Sequence, residues 1–114
     1  GNPLTVYGSG AQKRDYVYIK DVVRANIMAL QQGESCIVNC AVGTATSFND
    51  LVKILNKELA LSRTPIYFEN PYGNEYQSYT ECDTSLAKEK LGFVAEFNIE
   101  KGINDYVASG AIFD

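Results

Sequence analysis

Apolar positions along the chain fall into short runs and helical stripes separated by glycine, proline and asparagine, an order that predicts alternating strands and helices. Leu4, Val6 and the β-favouring run Tyr16-Val17-Tyr18-Ile19 flank Gly8-Ser9-Gly10-Ala11-Gln12, which reads as strand, flexible turn, strand. Asp21 then opens a helix. Val22, Val23, Asn26, Ile27 and Leu30 recur at helical spacing, Ala25 and Ala29 allow close approach, and Gly33 ends the pattern. The apolar run 36–41 suits a buried strand and completes a strand-helix-strand arrangement.

Ser47 with Asp50 three residues on forms an N-terminal cap, and Phe48, Leu51, Val52, Ile54, Leu55 and Leu59 supply the stripe of a helix over about 47–60. Residues 65–68 read as one more strand, and 69–74 carry the Pro/Gly/Asn chemistry of a loop. The stretch 76–82 reads as extended. Asp83 caps a short helix over 84–91 stopped by Gly92, and Asn98 starts a last helix through Ile103 and Val107. The pattern predicts an α/β fold with a small mixed sheet and about four helices.

With 114 residues, 46% apolar and 21% charged, the chain holds one domain, 1–114, with a modest core. A net charge of −4, no His and no run of Lys or Arg leave no basic field to draw a nucleic-acid backbone, so nucleic acid is not an expected partner. A single nucleotide needs only one or two well-placed cations, so the acidic balance leaves a small phosphorylated ligand open. Cys36, Cys40 and Cys82 lack CxxC spacing, and without His they complete no zinc set; no metal site is expected, and all three read as reduced, mostly packed thiols. No signal-like opening and no run of 18 apolar residues occurs, so a soluble cytoplasmic protein without membrane partners is expected.

Few residues carry recognisable chemistry. Arg14 follows the glycine turn, where a planar five-donor guanidinium can grip a diphosphate; taken alone the residue reads more readily as paired with a surface carboxylate. Tyr16 and Lys20 match Tyr-x-x-x-Lys, but that catalytic pairing needs a helix; on a strand the two side chains stand about 13 Å apart. Tyr16 is therefore read as packing and Lys20 as the strand end. Gly8-Ser9-Gly10 starts like a dinucleotide fingerprint, yet Lys13 stands at the third glycine and a strand follows, so no cofactor loop is read. Tyr72, Tyr76 and Tyr79 gather around the Pro/Gly loop, where phenols either stack on a ligand or pack beneath the loop. Asp83 reads as a cap more than as a general base.

The words running from Gly8 through Arg14-Asp15-Tyr16-Val17-Tyr18-Ile19-Lys20-Asp21-Val22 resemble the "G-x-G-x-x-x-RD-(F/Y)-V-Y-V-x-D-V" passage of the extended short-chain dehydrogenase/reductase epimerases and dehydratases. Further words follow in the family's order. Val38-Asn39 through Gly43 resembles "Y/F-N-hydrophobic-G-x-G", with Ala41 and Val42 standing where the family usually has Gly and Thr. Asp83 to Phe93 resembles "D-x-S-K-A-x-x-x-LG-(F/W/Y)", and Ile99-Glu100-Lys101-Gly102-Ile103 resembles "L-E-x-G-I". The run from Glu75 to Asp83 is most similar to the "Y-Q-x-(F/H)-T-x-A-D" of ADP-glyceromanno-heptose 6-epimerases, with UDP-glucose 4-epimerases and related dehydratases as the alternative.

The resemblance implies the carboxy-terminal, substrate-binding part of a Rossmann-type enzyme that oxidises a nucleotide sugar transiently to a keto form. By position it assigns Val6, Tyr7, Gly8 and Ser9 to a substrate-contacting turn, Arg14 to the nucleotide diphosphate and Tyr76 to the substrate. It assigns no catalytic or cofactor-binding residue to this chain: NAD or NADP, the catalytic tyrosine and the lysine are expected before Gly1, so the chain alone should be inactive. A Gly-Asn-Pro opening without Met fits that reading. The elements over about 14–41 would pack on the cofactor domain, leaving an exposed apolar patch or strand edge between Tyr16 and Gln32 and favouring a homo-oligomer. Expected partners are ADP-heptose or a UDP-hexose. The rival class is a non-catalytic nucleotide-sugar-binding or interaction module.

Overall fold

Local capping chemistry frames the chain, whose computed structural model describes residues 4–33 and 35–111. In order the elements are β1 (Thr5–Tyr7), β2 (Lys13–Asp15), α1 (Ile19–Gln32), β3 (Ala45–Ser47), α2 (Phe48–Glu58), β4 (Ile66–Phe68), α3 (Ser85–Leu91) and α4 (Ile99–Ala108), with a 3-10 turn at Gly73–Glu75. This is the expected α/β fold with four helices. At α2, the Asp50 N–H donates to Ser47 Oγ at 3.0 Å, and the Ser47 hydroxyl donates to Asp50 Oδ2 at 2.6 Å, so the cap read from sequence is made. Asn98 caps α4 in the same way, accepting from the Lys101 N–H at 2.9 Å.

The start of α1 differs from the expectation. Tyr16, Val17 and Tyr18 pair with no strand among the described residues, and the N–H groups of Asp21 and Val22 donate to Tyr18 O at 3.0 and 3.2 Å. That closes the first helical turn at Ile19, two residues before Asp21. Lys20 therefore lies in the helix, not at a strand end, and its ammonium pairs with Asp105 at 2.6 Å, away from Tyr16. Asp83 is also one position off. Thr84 occupies the cap of α3, and the Asp83 carboxylate accepts the Ser85 N–H at 2.8 Å. The hydrogen bonds from Ser85 hold that carboxyl below its ordinary range, which suits an anchoring group and not a base.

The sheet is divided. β1 and β4 run parallel, Val6 opposite Tyr67, while β2 and β3 run antiparallel, Arg14 opposite Thr46, so two ladders replace the one mixed sheet expected. Residues 78–80 lie alongside β2, with the Lys13 N–H donating to Ser78 O at 2.9 Å and the Thr80 N–H to Lys13 O at 3.1 Å. The run 36–41 is not a strand. Val38 and Cys40 turn inward and Asn39 outward, as in extended chain, but no ladder partner stands beside them among the described residues. Cys36 is exposed, which corrects its reading as a packed thiol, and Ile37 is 94% exposed.

Ala25 of α1 packs on Ala87, Leu91 and Phe93, with Met28, Ala29, Val38, Cys40 and Ala95 around them. Small residues on both helices let α1 and α3 approach until Phe93, 1% exposed, fills the gap. A second contact joins α2 to α4, and Gly102 of α4 stands where a Cβ would lie 3.2 Å from the Tyr18 ring. The other face of α1 is bare: Ile19, Val23, Ile27 and Leu30 are all at least half exposed and fall on one helical stripe, the patch expected between Tyr16 and Gln32. Among the described residues no helix is long and apolar enough to cross a membrane.

Candidate functional site

The site residues picked from sequence sit around the turn between β1 and β2. Val6 is buried in β1, anchoring the strand, and Tyr7, 52% exposed, ends it. Gly8 adopts φ +67°, a left-handed conformation that favours glycine, and its N–H donates to Phe68 O at 2.7 Å. The Ser9 hydroxyl accepts from the Ala11 N–H at 3.3 Å. Gln12 closes the turn from within, its Nε2 donating to Tyr7 O at 2.7 Å.

Arg14 and Tyr76, sixty-two positions apart, meet here: the guanidinium carbon lies 5.2 Å from the centre of the Tyr76 ring. Its Nη1 donates to Lys13 O at 2.7 Å and its Nη2 to Gln77 O at 2.6 Å. Those bonds orient the group. They occupy two of five donors and leave the others for an anion, and no carboxylate lies within ion-pair distance of Arg14 among the described residues. Tyr76 also walls two adjoining clefts, one with Thr5, Val6, Tyr7, Gln12 and Phe48, the other with Gly8, Ser9, Gln12, Asn70 and Ser78. The six picked residues thus lie together, five of them lining the clefts, with Val6 at their floor, and Arg14 against their shared wall. Tyr72 and Tyr79 are exposed, and the Tyr79 hydroxyl donates to Glu81 at 2.8 Å.

Asp15 has a role that sequence reading missed. Its carboxylate accepts the N–H groups of Val42 at 3.0 Å, Gly43 at 2.9 Å and Cys82 at 3.2 Å, tying the turn after the buried Ala41 and the 76–82 segment to β2. The Ala41 and Val42 that depart from the family pattern are therefore held in a closed turn. An acidic residue beside Arg14 was the available signal; its partners lie too far along the chain to be read.

A separate groove between α2 and α4 is almost wholly apolar, lined by Tyr16, Leu51, Ile99, Ile103 and Tyr106 among others. The Tyr16 hydroxyl is buried without a partner among the described residues, and burial pushes its phenol up against the pull of the Arg14 charge. The groove has no charged lining group to receive a phosphate.

The turn between β1 and β2 is not built as a dinucleotide-binding loop. The glycine turn leads into strand β2, and the helix start nearest it, that of α2, has its first N–H groups taken by Gln12 O, Gly10 O and Ser47 Oγ. A pyrophosphate would need those donors.

A domain of this architecture, with an arginine-tyrosine pair beside a glycine turn, has known relatives. Residues 1–41 match the NAD dependent epimerase/dehydratase family. A protein of Methanocaldococcus jannaschii provisionally named UDP-glucose 4-epimerase is 35% identical over 102 residues, covering 90% of this chain and 32% of that protein. The crystal structure of the UDP-glucose 4-epimerase of Thermotoga maritima with UDP-glucose superposes with a TM-score of 0.83 at 31% identity, over 96% of this chain and 36% of that one. The ADP-L-glycero-D-manno-heptose-6-epimerase of Helicobacter pylori gives a TM-score of 0.82 at 29% identity, over 94% and 32%. In sequence and in its α/β fold the chain is similar to one portion of these nucleotide-sugar epimerases. It spans about a third of the length of the relatives it matches.

Proposed function

We propose that the chain is the nucleotide-sugar-binding portion of an NAD(P)-dependent epimerase, in which Val6, Tyr7, Gly8, Ser9 and Tyr76 receive the nucleotide sugar and Arg14 grips its diphosphate. The observation that carries this reading is the Arg14 guanidinium stacked on Tyr76 at the wall of the clefts, with donors to spare. In the whole enzyme, NAD or NADP would be held by the remaining two thirds and would supply the hydride chemistry for a transient keto sugar. This chain's part is to hold the sugar in place while hydride leaves one face and returns to the other, and positioning of that kind contributes several powers of ten in rate. The chain alone is then inactive, and the epimerase acts in the cytoplasm.

Two sugars are supported by different observations. The Glu75 to Asp83 word favours ADP-heptose, and the 35% identity to a provisional UDP-glucose 4-epimerase favours a UDP-hexose. Calorimetry with ADP- and UDP-sugars separates them, since the true branch binds the tighter. Arg14→Ala weakens diphosphate binding by about 1.5–3 kcal/mol, the value of a shielded charge-assisted bond. An unchanged affinity removes Arg14, and with it the reading, from the site.

The bare stripe of α1 belongs, on the same reading, to the face that packs on the cofactor layer, within the strand-helix portion of about 14–41. In the chain by itself that stripe drives self-association. Light scattering is expected to give a mass above the 12.6 kDa monomer, lowered by Ile27→Lys. A monomer in the unsubstituted chain contradicts this.

A further inference from the structure

We propose that Asn49 is a positioning residue of the nucleotide-sugar site: it fixes the Gly8 to Gly10 turn against the first turn of α2 without itself lining the clefts. The inference rests on the reading of that turn as substrate-contacting. The first N–H groups of any helix lack intrahelical acceptors. In α2 the Phe48 N–H donates to Gln12 O at 3.2 Å and the Asn49 N–H to Gly10 O at 3.0 Å, so the helix start is plugged onto the turn.

The Asn49 side chain repeats the contact from a second direction. Its Nδ2 donates to Ser9 O at 3.1 Å, and its Oδ1 accepts the Tyr67 hydroxyl at 2.9 Å. The Ser9 carbonyl can only accept, which requires the amide nitrogen on that side and the oxygen toward Tyr67. Tyr67 stands on β4 opposite Val6, so the turn is braced through one amide between the parallel ladder and α2.

Gly10 completes the fit. It has φ +73°, and a Cβ there would lie 2.0 Å from Asn49 Oδ1, closer than atoms can approach. The glycine is needed twice, for its backbone conformation and for the space Asn49 takes. With Ser9 O drawn toward α2 and Tyr7 O held by Gln12, the backbone of the turn is set on its inner side, and Gly8 and Ser9 face the cleft shared with Tyr76.

The test uses the 114-residue chain with Asn49→Ala and the near-isosteric Asn49→Asp. The carboxylate still accepts from Tyr67 but cannot donate to Ser9 O. Affinities for UDP-glucose and ADP-glucose are read by calorimetry, and amide hydrogen exchange is read residue by residue by NMR. Both variants are expected to bind the sugar nucleotide about five- to tenfold more weakly, the worth of one hydrogen bond. Exchange at residues 8–12 should quicken while that of α4 stays as it was. Asn49→Ala should lose less in a Tyr67→Phe background than in the unsubstituted chain, because the two side chains act as one brace. Wild-type affinity in both variants, or exchange that rises equally throughout the chain, overturns the positioning role. An unsubstituted chain that binds neither sugar nucleotide overturns the substrate reading, and the positioning role with it; exchange at residues 8–12 then tells whether the brace itself exists.

Discussion

Replacing Phe93 with alanine is expected to cost the fold about 3–5 kcal/mol, a large share of the roughly 5–15 kcal/mol that holds a domain of this size together. The ring is 1% exposed and packs on Ala25, Ala87 and Leu91, all small or already in contact, so the walls cannot close over the space it leaves. The Arg24 guanidinium also lies 4.9 Å from the ring centre and loses its π-face, worth about 0.5–1 kcal/mol. Phe93→Leu keeps part of the apolar volume and loses less. Urea midpoints at constant m-value measure both changes. A loss below about 1 kcal/mol for Phe93→Ala would show that the α1–α3 contact is not what holds the core.

Four helix ends were legible in sequence through local signals, whereas the starts expected at Asp21 and Asp83 lay two and one positions off. Ser47 with Asp50, Asn98, Gly33 and Gly92 act within a few residues of themselves, and each marks the end it was expected to mark. Strands were not, because a strand is made by its partner. Tyr16-Val17-Tyr18-Ile19 has the composition of a strand and no ladder, whereas β3, Ala45–Ser47, has no strand-like pattern and pairs with β2. The run 36–41 failed for the same reason, and Cys36 with it.

The site divides along the same line. Arg14 and Tyr76 were found through family words, and their meeting over Gln77 O depends on the 78–80 segment lying beside β2, which no local pattern encodes. Asp15 and Asn49 join segments roughly thirty to seventy positions apart, and nothing in their own neighbourhoods distinguishes them from surface polar residues. The turn that Asn49 braces leads directly into β2, the strand that carries Arg14 and to which Asp15 ties residues 42, 43 and 82, so both long-range polar contacts act on the surroundings of one site.

The other large expected effect is at Asp21, whose side chain is fully buried in the first turn of α1. Its carboxylate accepts the Glu96 N–H at 3.0 Å, the Phe97 N–H at 2.9 Å and Arg24 Nη2 at 2.9 Å, fastening α1 to the segment that leads into α4. Burial alone would raise the carboxyl; the hydrogen bonds from Glu96, Arg24 and Phe97 outweigh it and hold the group below its ordinary 3.8. Asp21→Ala leaves the Glu96 and Phe97 N–H groups and a partly buried guanidinium without their shared acceptor, and is expected to lose about 3–5 kcal/mol. Asp21→Asn keeps the shape and one acceptor and loses less. Because the folded carboxyl is the stronger acid, its stabilisation is complete above the unfolded value of 3.8 and disappears as pH falls through the folded value. The stability gap between the unsubstituted chain and Asp21→Asn should therefore be widest near about pH 7 and shrink toward about pH 3. A gap equal at both pH values would mean that the carboxylate's charge contributes nothing, and that α1 is held to residues 96 and 97 by packing alone.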